Sequence, residues 1–168
     1  MATNRTRRIG EAIGLVGVIG SLIFVGIELR QNSVATRAAT DAAVADGFRE
    51  LNLVLGSSPE LARALATYAD DPASAPAADQ ILMLGLYRAL FHIWSNSHRQ
   101  HLNGTLDPAV HQGVVQEIST YAGEPASGVP INQIDRRRRV MQWAWESERF
   151  IFNPDFQVFV DSMLAAKR

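Results

Sequence analysis

Two histidines three residues apart, His98 and His101, are the side chains best spaced for chemistry, because residues at i and i+3 of a helix share a face and can approach one metal ion. A catalytic zinc or iron centre wants a third protein ligand. Neither an HExxH sequence nor a Glu-x-x-His pair supplies one locally; His111 and Glu117, beyond the turn expected at Gly104, are the groups that could complete the set. The competing role for a histidine pair near a helix end is a cap or a partly buried polar contact. No cofactor is expected.

The run Arg136, Arg137, Arg138, Arg139 is the most conspicuous charge feature. Four consecutive helical residues span about 300° and cannot form one flat basic face. A solvated surface balanced by Asp135, Glu146 and Glu148 accounts for the run, and contact with anionic lipid headgroups is its functional alternative, at about 1 kcal/mol per nearby cation. A formal net charge of −1 and a pI near 6.4 give no general attraction to nucleic acid. Trp143 and Trp145 read as core and core-edge groups rather than a stacking platform.

Nucleophilic catalysis has no foothold. Cysteine is absent, which excludes disulfides and thiolate metal sites, and there is no G-x-S-x-G elbow and no phosphate-binding glycine loop. Glu124, Glu146 and Glu148 read as ordinary carboxylates without a visible partner. Asn4-Arg5-Thr6 and Asn103-Gly104-Thr105 fit a glycosylation pattern that is frequent by chance.

The strongest signal of all lies at the start of the chain, and it concerns place rather than chemistry. From Ala12 to Ile27 there is no charge; Arg5, Arg7 and Arg8 precede the run, and Glu28 and Arg30 close it. Counted from Ile9 to Leu29, the helix covers about 31 Å against a hydrocarbon core of about 30 Å. Its Ile, Leu, Val and Phe residues each contribute roughly −0.3 to −0.6 kcal/mol to insertion. In an aqueous helix each glycine of the run would cost about 0.8 to 1 kcal/mol relative to alanine. Gly10, Gly14, Gly17 and Ser21 fall at i, i+4, i+7 and i+11, one face on which two membrane helices could pack closely. Glu28 continues that face at the membrane edge. Cleavage as a signal peptide is disfavoured, since Glu28-Leu29-Arg30-Gln31-Asn32 offers no small-x-small site. The arginines on the two sides nearly balance, so the side on which the rest of the chain lies is left open.

Helical periodicity runs through the remainder. Val44, Phe48, Leu51 and Leu55 extend the first helix to about Gly56, and Ser58-Pro59 caps and starts a short second one. A third, central helix runs from about Ala78 to Asn103 with two apolar edges, Leu82, Leu86, Leu90, Ile93 and Met83, Tyr87, Phe91, Trp94; Arg88, His92, Ser95 and Arg99 form its solvated face. Asp107-Pro108 opens a fourth helix, with Val110, Val114, Ile118 and Tyr121 as its stripe. A fifth starts near Ile131, and Asn153-Pro154 opens a sixth with Phe156, Phe159, Val160, Met163 and Leu164 inward. No strand pattern or long repeat competes. The expected fold is all-α: a long N-terminal transmembrane helix continuing into a small bundle of about five further helices. Its divisions are a basic tail over 1–8, a membrane helix over 9–29 and one domain over 30–168.

Several segments carry a resemblance: Ile27-Glu28-Leu29-Arg30-Gln31-Asn32, Ala35-Thr36-Arg37-Ala38-Ala39, Pro59-Glu60-Leu61-Ala62, Phe91 to Trp94, Asn103 to Asp107, and Asn153-Pro154-Asp155-Phe156 leading to Phe159-Val160-Asp161. Over nearly its full length the chain resembles a large group of uncharacterised bacterial proteins with an apolar N-terminal helix that closes in an I-x-R-x-N-like sequence. The resemblance implies a single-pass, helical, bacterial membrane protein, and no activity or catalytic residue comes with it. Relatives of that group are expected to carry glutamine where Glu28 stands.

Together these features point to a cell-membrane protein that contacts lipid and acts by association, as a homo-oligomer or with another membrane protein, without nucleic acid. The alternative is a small-ligand or metal-binding sensor or enzyme built on the His98/His101 region.

Overall fold

The computed structural model describes residues 3–125, 128 and 130–165, with side chains from residue 14 onward. It is all-α. Among the described residues there is no strand, and six α-helices follow in order: α1 (Thr3–Ser57), α2 (Pro59–Tyr68), α3 (Ala77–Leu102), α4 (Pro108–Tyr121), α5 (Ile131–Glu148) and α6 (Pro154–Ala165). The chain divides into two compact units, Met1–Ala39 and Thr40–Arg168.

In the first unit, every residue from Gly14 to Ala39 is exposed. Helix α1 has a stretch long and apolar enough to cross a membrane, with mean hydropathy 1.5 and none of it buried.

The second unit begins within α1, and local chemistry sets where its later helices begin. Ser58 caps α2 by accepting from the Leu61 N–H at 3.3 Å, with Pro59 at the first helical position. Asp107 does the same for α4, accepting from Ala109 N at 2.7 Å ahead of Pro108. Asn153 accepts from Phe156 N at 2.9 Å and starts α6. Helices α3 and α4 stop at glycines in the left-handed region, Gly104 at φ 71° and Gly123 at φ 106°. At each stop the next residue's N–H reaches back six-to-one, Thr105 to Gln100 O at 3.0 Å and Glu124 to Ser119 O at 2.9 Å, which satisfies carbonyls the helix end leaves open.

Helix α3 is central. Its Met83, Tyr87, Phe91 and Trp94 edge is buried throughout, and Phe91 meets the rings of Trp145 at 5.1 Å, Trp94 at 5.7 Å and Phe152 at 6.0 Å. From α1, Val44 is buried, with Phe48, Leu51 and Leu55 packed against the same core. Gly47 belongs to this contact: a Cβ there would lie 3.3 Å from the Ile93 side chain, so the missing methyl lets α1 and α3 approach. The other edge of α3 is buried at Leu86 and Leu90 but opens at its start, where Leu82 is 37% exposed.

Candidate functional site

On the apolar part of α1, Gly14 and Gly17 have nothing within 4 Å of where a Cβ would stand. The Ser21 hydroxyl donates to Gly17 O at 2.9 Å, so its proton is satisfied within the helix. Gly10 lies outside the residues whose side chains are described. The face is a strip of accessible backbone flanked by Leu15, Val18 and Leu22, all more than half exposed.

In the second unit the fold gathers His98 and His101 with His111 from α4. The His101 and His111 rings stack at 3.8 Å and 4°, and the His98 ring lies 5.8 Å from that of His111 and stacks on Phe159 at 4.4 Å. Nδ1 of His98 and Nε2 of His111 are buried and have no hydrogen-bond partner among the described residues. Burial, followed by the neighbouring His101 and His98 charges, holds the His111 imidazole down at about 4. Burial and His101 lower His98 as well, with Asp155 opposing. Rings stacked face to face carry their lone pairs in parallel planes, which do not converge on a common ion. Among the described residues no three His, Cys, Asp or Glu side chains form a group that could hold a metal. Glu117 accepts from Trp94 Nε1 at 3.0 Å, and burial raises its carboxyl.

The four arginines of α5 diverge, as their angular spread requires. Arg136 and Arg139 both reach Asp70, beyond α2, at 3.3 Å and 2.5 Å, and Arg136 also donates to Ala66 O. Arg137 stands over the Tyr121 ring at 6.0 Å. Arg138 lies along Gly123, where a Cβ would come within 3.0 Å of its Cδ.

One carboxylate reads differently in the structure than in the sequence. Glu148, which has no partner visible in the sequence, is 5% exposed and takes a two-pronged contact from Arg88, with Nε at 2.8 Å and NH2 at 2.6 Å. Asp79, also 5% exposed, is gripped in the same way by Arg63 of α2 at 3.2 and 2.5 Å. A carboxylate withdrawn from water must be met by a cation or by hydrogen bonds, and the planar guanidinium fork supplies both. The pairs tie α3 to α5 and α2 to α3. Each carboxylate is thereby matched by a guanidinium across a helix–helix contact.

Among the described residues the chain is all-helical, with one helix long and apolar enough to cross a bilayer followed by a helical domain. Comparison with protein-family models, with curated proteins and with solved structures found no match.

Proposed function

We propose that this chain is a single-pass membrane protein, of the bacterial group it resembles, whose role is association with a second copy or with another membrane protein through the Gly10, Gly14, Gly17, Ser21 face. The observation that carries the reading is the open strip at Gly14 and Gly17 on a helix whose apolar stretch, from Gly14 to Ala39, has every residue exposed. In hydrocarbon, apolar side chains gain nothing by burial against each other, so helices associate through close backbone approach and dispersion, which small residues permit. Lipid is the solvent of that helix, and anionic headgroups are the partner of those members of the Arg136 to Arg139 run that Asp70 does not hold.

Two measurements test this. Membranes carrying the full chain are washed with carbonate, and the protein should stay in the pellet. Self-association is then read by an in-membrane reporter for the natural sequence and for Gly14→Leu with Gly17→Leu, which should drop the signal to background. Release by the wash removes the anchor, and unchanged association in the double variant removes the glycine face.

A further inference from the structure

A cavity of about 280 Å³ opens where five helices of the second unit meet. Its apolar wall is made by Leu55 of α1, Leu65 of α2, Leu86 of α3 and Val140 of α5. Its polar wall is made by Tyr87, Tyr121, Arg136 and Arg137, joined by the Gln133 amide. An apolar hollow between helices with a few convergent polar groups is the usual form of a small-molecule site. Its size is roughly twice that of a dry ~150 Å³ cavity able to hold a benzene ring.

The polar wall is almost wholly composed of donors. Burial raises the Tyr87 and Tyr121 hydroxyls above their ordinary value, so both remain neutral phenols that donate O–H. Among the described residues the Tyr87 hydroxyl donates one long hydrogen bond, 3.4 Å to Arg137 O, which a better-placed acceptor would displace. Arg136 Nε is buried and makes no hydrogen bond among the described residues; it stands 3.3 Å from Asp70 Oδ2, close enough for an ion pair but off the angle a bond requires. Arg137 is exposed, and among the described residues it has no carboxylate partner; its guanidinium faces only the Tyr121 ring. Guanidinium, phenol and amide N–H groups around an oily hollow match a ligand with an acceptor-rich anionic end and an apolar body.

We propose that this cavity binds a single-chain amphiphile with a carboxylate or phosphate head, its apolar part among Leu55, Leu65, Leu86 and Val140 and its head on Arg137. The proposal narrows the headgroup reading to Arg137 and a defined pocket, and it stands apart from the association reading.

The test uses the full chain in phosphatidylcholine nanodiscs, with empty nanodiscs subtracted. Decanoate, as a free acid, and lysophosphatidic acid, as a lipid, are the anionic probes; decanol is the neutral control. Saturable binding of one anionic probe per chain is expected, and the tighter of the two identifies the source. Arg137→Gln should weaken that binding about tenfold, the worth of one hydrogen bond to a charged group, and leave decanol unchanged. Ala66→Phe, placed from an exposed position on the rim, should block both, with the helical content checked by circular dichroism. No binding above empty nanodiscs overturns the proposal. So does a loss with Arg137→Gln but none with Ala66→Phe, since that pattern belongs to surface attraction without a pocket.

Discussion

Lowering the pH from 7 to 5 should destabilise the helical domain by about 1 kcal/mol, and His111 should carry most of the change. Its imidazole, held at about 4 by burial and by the His101 and His98 charges, stands well under the ~6.5 of a free histidine. Below 6.5 the unfolded chain therefore takes up a proton that the folded chain refuses. Stability is complete above that pH, falls as the pH drops, and stops falling through this group once the folded value near 4 is passed. Were the ring sealed from water, the whole window would be worth about 3 kcal/mol. His111 is only half-buried, solvent screens its neighbours' charges, and the interval from pH 7 to 5 covers part of the window, which leaves the ~1 kcal/mol. His98 adds a smaller term of the same sign. Glu117, raised by burial, acts in the opposite direction, because its folded form accepts a proton before the unfolded one does. The assay is urea unfolding of the full chain in nanodiscs at pH 7, 6 and 5. It can be followed by tryptophan fluorescence, since all three tryptophans, Trp94, Trp143 and Trp145, lie in this domain. His111→Phe keeps a flat ring against His101, removes the titrating site, and deletes a buried nitrogen that has no partner. It should be no less stable than the natural chain at pH 7 and should lose most of the pH slope. A midpoint that does not move between pH 7 and 5, or the same slope in His111→Phe, would refute the reasoning.

Two further substitutions probe the frame around that cluster. Phe91, fully buried and in ring contact with four aromatic neighbours, leaves a hole that α3 and α5 cannot both close; Phe91→Ala should cost about 3 to 5 kcal/mol in urea unfolding, and a loss under 1 kcal/mol would show that the aromatic core is loosely packed. Gly123→Ala places a Cβ at φ 106° and within 3.0 Å of Arg138 Cδ, and should lower stability by about 1 to 2 kcal/mol; an unchanged midpoint would mean that the turn relaxes into another conformation.

How far the sequence reveals this fold depends on the range of the forces involved. Helix starts are written in adjacent residues, because a cap and the proline after it act on N–H groups within one turn; Ser58-Pro59, Asp107-Pro108 and Asn153-Pro154 each begin a helix where their chemistry says they should. The buried stripes of α3 and α5 are legible for the same reason, since burial follows a 3.6-residue period. The gathering of His111 with His98 and His101 needs only the tight turn at Gly104, and the sequence places His111 within reach on that basis. The cavity leaves no such trace, because a volume left unfilled among five helices has no sequence period. The buried ion pairs lie between these cases. Arg88 sits sixty residues from Glu148 and on the solvated face of α3, so its spacing reveals a polar residue but not a partner. Glu148, though, falls seven residues after Met141, on a stripe that also takes in Ala144 and Trp145, and Asp79 falls four before Met83 on the stripe that continues to Tyr87; all of these are buried. An acid on an apolar stripe cannot stay charged and unaccompanied inside a protein, because the cost of leaving water exceeds what packing returns. Its position therefore announces that a cation or a set of hydrogen-bond donors must meet it, and which of these it is waits on the fold.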